Sequence, residues 1–484
     1  MGETAPIPFS GGQASGIEEL TGATPMAINM LADAGGALYT RPGLSEWGEW
    51  ADPIPDAIDA GEVIGGIVWN EYLVYVTQSS AGLRRIWAMI GPNHRVALSD
   101  DADPLTQLDG AARPTFAATK TRVVIAGGGA PQKWEGSGLS ARLGGSPPDA
   151  THVVANARRL LLSNPTIAGL FYWSPPGETE HETWNSGDSG SSEAESRPDV
   201  IQSLAENSNE VFAFGATTTE IYGPDQSLVY ARGRASNFGT EAPYAIVRVD
   251  EAFFMLDDQR RVILTDGRSM QPLSEPAMAR TIDRFEAVTD AWGFRAKLDG
   301  WDLAVLSFPT EGRTIAFDST TKNWSEWRSR QGDEDAPWLG TCHVRWPSKN
   351  IDLIGTRDGR FLLLDAEAFE DDGQPLVGVV RTGFGDRGKK SKKVCEKLAL
   401  TMRRGESDVT DTDDEPAVFV QYRNGLGSFS APLRYGLGVN GDSEVTVQKW
   451  TLGVYRCRQW QLTFSAATRL VLASAEETFS ELGD

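Results

Sequence analysis

The sequence is poor in the groups that most enzyme chemistry needs. Four histidines, His94, His152, His181 and His343, are scattered over 484 residues, and none stands beside a second one at ligand spacing. That argues against a His-based zinc site and against a Ser-His-Asp arrangement. The three cysteines, Cys342, Cys395 and Cys457, are odd in number and far apart, with no C-x-x-C pair. They read as reduced thiols of a protein folded in a cytosol. No apolar run approaches the roughly 18 residues of a membrane span, so no membrane insertion is expected. The N-terminus MGETAPIPFSGG has neither a basic n-region nor an apolar h-region, and no secretory signal is expected. Basic charge is short as well: 45 Lys and Arg stand against 67 Asp and Glu, a formal net charge of -22. Such a chain does not bind nucleic acid by general attraction, because phosphate binding needs a basic face that releases counterions.

Helix is scarce too. The best helical periodicity follows Ser274 as N-cap, with Pro276 in the first turn and Met278, Ile282 and Phe285 at i, i+4, i+7. Short strands bounded by Gly, Pro, Asn and Asp fill the rest, among them Leu73 to Val76, Arg122 to Ala126, Arg159 to Leu162, Val211 to Phe214 and Leu303 to Leu306. They recur in units that start near Gly65, Pro114, Ala150, Ile201, Ala245, Ala291 and Leu339, a mean spacing of about 46 residues, which is the range of four-stranded propeller blades. Radial repetition disposes of strand edges over this length better than one sandwich does. The expected fold is all-β: a β-propeller of six or seven four-stranded blades over residues 51–374, followed by an additional C-terminal antiparallel β domain over 375–484. There Leu398, Leu400 and Met402 alternate, as do Trp460, Leu462 and Phe464, and Val418, Val420 and Tyr422 precede an Asn424-Gly425 hairpin turn. The N-terminal segment 1–50, with its short run at Leu38-Tyr39 and paired Trp47 and Trp50, is expected to supply the outer strand that closes the ring.

No residue is assigned a catalytic, cofactor-binding or metal-binding role. Ser186-Gly187-Asp188-Ser189-Gly190-Ser191 resembles the start of the Asp-box of sialidase blades, S-x-D-x-G-x-T-W, but Glu193 replaces the tryptophan and the motif does not repeat. It reads as a polar loop. Gly136, Gly138 and Ala141 satisfy G-x-G-x-x-A with no strand before and no helix after, hence a turn. Asp408, Asp411, Asp413, Asp414 and Glu415 crowd five carboxylates together, yet Pro416 stands where a calcium loop wants glycine, so this is a solvated acidic loop. The most unusual stretch is RGKKSKKVCEKLALTMRR. Arg387, Lys389, Lys390, Lys392, Lys393, Lys397, Arg403 and Arg404 against Glu396 give +7 in an acidic chain. Two readings apply: lysines guarding a sheet edge, or a docking strip for an acidic partner or DNA backbone. With no aromatic in the run to stack on bases, a protein-docking or edge role is favoured.

Several stretches, in order, carry a family likeness: Asn29-Met30-Leu31, Arg41-Pro42-Gly43-Leu44, Trp173-Ser174 with Trp184, the run from Ser192 to Ile201, Phe214-Gly215 with Thr217 to Ile221, Gly239, Ala242-Pro243-Tyr244, Met255 to Asp258, Leu306 to Thr310, Phe317-Asp318, Trp324, Arg423-Asn424-Gly425, Phe429-Ser430, Leu437-Gly438 and Arg456 to Phe464. Together they resemble the tail nozzle, or tail hub, proteins of short-tailed bacteriophages, also described as packaged-DNA stabilisation proteins. Glu193, Glu195, Arg197, Pro198, Asp199, Thr219 and Glu220 sit at the family-motif positions, with structural roles. The end segment departs from the family, having Gln448-Lys449-Trp450 where paired arginines are usual. The resemblance implies a non-enzymatic virion structural protein, synthesised in the host cytoplasm and located in the tail. It implies a homohexamer below the portal and adaptor rings, in contact with a tail needle or plug and with fibres or spikes, through which genomic DNA passes transiently. The alternative is a phage-tail propeller enzyme or carbohydrate-binding module acting on host surface glycans, motivated by the Asp-box-like segment and by fifteen tryptophans that would line sugar sites.

Overall fold

A computed structural model of the chain describes all residues except 1–2, 10–25, 49–60, 93, 165–166, 168, 178–180, 185–186, 195–198, 208–209, 225–229, 275, 389, 405–415, 439–443, 466–469 and 483–484. It is an all-β protein in which a β-propeller carries a further β domain. The first five blades are self-contained four-stranded antiparallel sheets, whose inner strands are Glu62–Trp69, Thr115–Ala118, His152–Asn156, Ile201–Asn207 and Val247–Val249. A sixth blade begins with Trp292–Leu298 and ends with Trp324–Gln331. The seventh holds Cys342–Trp346, Ile351–Gly355 and Phe361–Asp365, and its fourth strand comes from the other end of the chain: Gly43–Glu46 pairs antiparallel with Phe361–Asp365, Leu44 opposite Leu364. Each of the seven inner strands begins within three residues of a start set by the repeat.

Second strands are buried on both faces because each blade is pressed between two others. Leu73 to Val76, Val123 to Ala126 and Leu160 to Leu162 are all essentially inaccessible, so these strands read as continuous apolar runs without alternation. Tryptophans fill the wedges between blades. Trp69 meets Trp134 edge-on at 5.8 Å between the first and second blades, and Trp292, Trp327 and Trp338 share the cluster between the sixth and seventh. Thirteen of the fifteen tryptophans are buried in this way or in the second domain; Trp50 lies outside the described residues, and Trp450 is exposed.

The second domain is a sandwich of two sheets around one core that includes Leu398, Leu400, Met402, Val418, Trp460, Leu462, Phe464 and Leu472. One sheet runs in the order Met30–Ala32, Leu38–Thr40, Leu470–Glu481, Lys393–Arg404, Glu444–Trp450. The other contains Met26–Ile28, Val377–Arg381, Arg458–Ser465, Ala417–Asn424 and Leu433–Gly436. The N-terminal segment is therefore divided: residues 26–40 belong to the sandwich, and Gly43–Glu46 to the propeller. The second sheet does not stop at the domain boundary. Met26–Ile28 lies parallel to Trp324–Gln331 through Ile28 and Glu326, so the sixth blade and the sandwich share one hydrogen-bonded sheet.

Two local expectations need correction, after a helix that the sequence did show. The helix Pro276–Asp283 exists and buries Met278 and Ile282, with Phe285 buried two residues past its end, and the Ser274 Oγ before it accepts the Val262 amide at 3.1 Å, holding the end of the fifth blade. Gly425 is left-handed (φ 61°) as a turn glycine should be, yet the next strand starts only at Leu433, so Asn424-Gly425 opens a longer connection. Gly136 and Gly138 do lie in a turn with positive φ, but a strand, Gln132–Trp134, precedes them.

Candidate functional site

The residues that carry the family likeness assemble into joints. Asn29 sits between two strands at φ 55°, a left-handed conformation that asparagine tolerates. Its amide nitrogen donates to the carbonyls of Arg328 and Val377, both at 2.9 Å, and its Oδ1 accepts from the Arg328 amide and from Arg41 Nε, again at 2.9 Å. One side chain thus ties the N-terminal segment, the sixth blade and the first strand of the sandwich. Arg41 is fully buried and forms a bidentate pair with buried Asp371, at 3.1 and 2.6 Å. Further bonds run from Arg41 to the Pro42 and Arg328 carbonyls and from Ser329 Oγ to Asp371, and the guanidinium lies 5.2 Å from the Trp327 ring. With donors and acceptors matched, the desolvation of this pair is offset. Gly43 completes the joint: a Cβ there would stand 2.4 Å from the Glu370 carbonyl oxygen.

A second joint is the corner of the fourth blade. The Asp199 carboxylate accepts from the amides of Ala216, Thr217 and Thr218 at 3.0, 2.7 and 2.9 Å, and from both threonine hydroxyls. Burial alone would raise its pKa, but these donors outweigh it and hold the carboxyl below the ordinary aspartate range. Gly215 is required because a Cβ would meet Asp199 Oδ2 at 2.6 Å. Thr219 Oγ1 donates to the Phe238 carbonyl at 2.7 Å. Glu220 is buried and accepts from the Tyr222 hydroxyl at 2.7 Å. Glu193 is exposed at the end of the outer strand of the third blade, and its carbonyl accepts from Tyr222. Glu195, Arg197 and Pro198 lie outside the described residues. These motif residues close turns rather than face a common cleft.

The basic strip does not form one face, and the edge reading is wrong. Lys393–Arg404 is an interior strand, paired with Leu470–Glu481 on one side and with Glu444–Trp450 and Val454–Tyr455 on the other. A bulge near Glu396 divides its charges between two faces. Lys393 is fully buried and donates to the Ser391 and Arg456 carbonyls. Arg387 donates twice to the buried carboxylate of Glu477, at 3.0 and 2.7 Å. Lys397 lies over the Trp450 ring at 5.4 Å, and Arg403 meets Glu444 at 3.2 Å. Lys390 and Lys392 are exposed; Lys389 and the Arg404 side chain lie outside the described residues. The acidic run Asp408 to Glu415 also lies outside them. In the Asp-box-like segment, Gly190 and Ser191 belong to an outer strand, correcting the loop reading. A Cβ on Gly190 would stand 2.4 Å from the Trp173 ring, so that glycine is there for packing. Among the described residues no group of three or more His, Cys, Asp or Glu is placed to hold a metal ion.

Sequence reasoning missed the propeller axis. Inner strands of all seven blades converge on a cavity of about 240 Å³, lined by Arg113, Phe116, His152, Tyr244, Trp292 and Cys342 among others. The Arg113 guanidinium stands 5.0 Å from the Trp292 ring and donates to the Thr341 carbonyl. The His152 and Tyr244 rings stack at 5.2 Å. Burial pushes the His152 imidazole down to about 4 and the Cys342 thiol up to about 12, so the ring is neutral and the thiol protonated near pH 7. These residues fall at corresponding points of successive repeat units, the one signal that would have gathered them.

No family model matches the chain, and no curated protein matches it. Among solved structures, Hsv2 of Kluyveromyces lactis aligns at 12% identity over 54% of this chain and 82% of its own, with a TM-score of 0.33. The extracellular domain of a hybrid two-component system of B. thetaiotaomicron aligns at 9% identity over 75% of this chain and 58% of its own, with a TM-score of 0.34.

Proposed function

We propose that the protein is a virion structural protein, a tail nozzle or hub subunit of a short-tailed phage that forms a homohexameric ring below the portal and adaptor. The observation that carries this reading is the joint around Asn29, Arg41 and Asp371. Residues through which the sequence resembles the nozzle family are spent on locking the propeller to the sandwich, which suits a part that must keep its shape under load. The axial cavity of the propeller, at about 240 Å³ and crowded by Arg113, Tyr244 and Trp292, is far too small for a nucleic acid. The DNA channel therefore lies between subunits, formed when heterologous contacts close the ring. With a net charge of -22, carboxylates on that wall repel phosphates and the genome slides without sticking, held before ejection by a separate needle or plug. Portal or adaptor, needle, and fibres or spikes are the implied partners. Sedimentation of the purified protein tests the assembly: a discrete hexamer is expected, and a strict monomer at all concentrations, with adapter rings unable to assemble it, contradicts the reading.

The glycan-acting alternative drew on tryptophan abundance. Burial of thirteen of them in blade wedges and cores removes that support. A screen of host surface glycans for hydrolysis or binding separates the two readings, since a nozzle subunit is inert in it.

A further inference from the structure

The axial cavity holds a cation that no carboxylate touches among the described residues. Arg113 forms no ion pair among the described residues; Glu62 and Asp290 act on it electrostatically but make no ion pair with it. Its hydrogen bond goes to a neutral carbonyl, that of Thr341. Other ionisable groups lining the cavity do not balance it. Cys342 keeps its proton, and His343 is engaged with the Asp352 carboxylate at 2.8 Å, with Arg345 on that carboxylate's other oxygen. A guanidinium taken out of bulk water without a counter-charge is costly.

A second observation points the same way. His152 is 4% exposed, and its Nε2 is buried with no hydrogen-bond partner. Its Nδ1 lies 3.2 Å from Thr151 Oγ1, and stacking on Tyr244 fixes the ring plane. With Nδ1 accepting from Thr151, the ring hydrogen sits on Nε2, which makes no well-aligned hydrogen bond; the Pro243 carbonyl is the backbone acceptor that acts on the ring. The Tyr244 hydroxyl is close enough to Arg113 and Arg84 for both to act on it, and Arg84 is likewise bound to neutral oxygens only, those of Gln78, Ala112 and Gly127. The cavity is many times the ~10–15 Å³ that one water requires.

We propose that the propeller axis is a binding site for a small oxyanion, held by the Arg113 guanidinium and by the His152 Nε2 edge. Phosphate and carboxylate share the chemistry that Arg113 recognises: planar or tetrahedral oxygens that accept from a guanidinium fork. Trp292 behind the guanidinium keeps the fork in place. Ligand binding here places a counter-charge in direct contact with the guanidinium and ties together inner strands of several blades.

Calorimetric titration of the full chain with sodium phosphate and, separately, sodium malonate, at constant ionic strength in chloride, tests this. Saturable binding of at least one probe, one site per chain, is expected, and the probe that binds identifies phosphate or carboxylate as the ligand chemistry. Arg113→Met, which keeps the stem on Trp292, is expected to weaken binding about tenfold or more, the worth of a charge-assisted hydrogen bond. His152→Phe is expected to weaken it severalfold while keeping the stack. Arg142→Met, which alters an exposed arginine paired with Asp109, leaves it unchanged. No saturable binding of either probe at millimolar concentration overturns the proposal, as does undiminished binding by Arg113→Met. Should that variant fail to fold, His152→Phe and Tyr244→Phe decide, and unchanged binding in both overturns it.

Discussion

The propeller and the sandwich differ in which buried charges bind the backbone. The propeller buries arginines such as Arg84 and Arg159 too, but several of its buried carboxylates act as acceptors for turn amides. Asp199 gathers three amides at one corner, Asp257 takes the amides of Gln259 and Arg261, and Asp318 takes those of Asp302, Thr320 and Thr321. In the sandwich, beside the buried Glu477 that pairs with Arg387, two buried cations bind carbonyls. Lys393 donates to carbonyls from the core side of its strand. Arg458 lies within about 5 Å of the Tyr422, Tyr455 and Trp460 rings, donates to Asn424 and to the Leu452 carbonyl, and has its pKa lowered by burial. Tight turns between blade strands present clusters of N–H groups, which one carboxylate with two acceptor oxygens can satisfy together. The sandwich leaves carbonyls and aromatic faces inside, which suit a cation. Charge counted along a chain is thus no guide to charge on its surface, and the +7 strip shows it: of its described side chains, Arg387, Lys393, Lys397 and Arg403 are paired, stacked or buried, and Lys390 and Lys392 are exposed.

The comparison is broken most strongly where the two regions meet. Asp371→Ala strands the buried Arg41 and is expected to destabilise the fold by about 3–5 kcal/mol, read by chemical denaturation, with unfolding of propeller and sandwich separating into two transitions. A single unchanged transition would mean that the joint contributes little. Next comes pH. His152 is neutral in the fold with a pKa lowered to about 4 from 6.5, so the unfolded chain takes up a proton first. Its contribution is full above about pH 6.5 and is lost as pH falls towards 4, about 3 kcal/mol in all. Asp199, lowered in the fold, contributes above the ordinary aspartate pKa and loses this only as pH falls through its lower folded value. His152→Phe should therefore flatten the first window of the stability-pH curve and leave the second.

Smaller effects sharpen the contrast. Asp199→Ala leaves the amides of Ala216, Thr217 and Thr218 without their acceptor and is expected to cost about 2–3 kcal/mol. Arg458→Met, which keeps volume among the rings, should cost about 2 kcal/mol through lost cation–π and carbonyl contacts. If urea titrations show the sandwich variant to be the neutral one, buried cations there are replaceable and the contrast fails. Lys392→Ala, at an exposed position, should stay within about 0.5 kcal/mol of the parent in the same titration.

How far the sequence could be read follows from these same groups. The repeat was legible because each blade carries one strand buried on both sides, such as Leu160 to Leu162, and glycine-rich punctuation between. Met26–Ile28 and Met30–Ala32 were not, since each is only three residues long, and the partners of the first, Glu326 and Val379 to Arg381, lie hundreds of positions away. Ser274 shows how one hydroxyl is drawn into tertiary structure, since a blade amide donates to it. The strip from Arg387 to Arg404 misled because the strand alternation sends Lys393 inward while Arg387 reaches a glutamate 90 positions away. Arg113 and His152 gave no local signal at all, being brought together only by closure of the ring.

A single-particle reconstruction of the purified protein, viewed along its symmetry axis, tests the central claim most directly. A sixfold ring is expected, in which propeller and sandwich of each subunit hold one fixed relation, with the channel between subunits walled mainly by Asp and Glu. Isolated subunits whose two domains take many relative orientations, or a ring whose channel is walled by Lys and Arg, would contradict it.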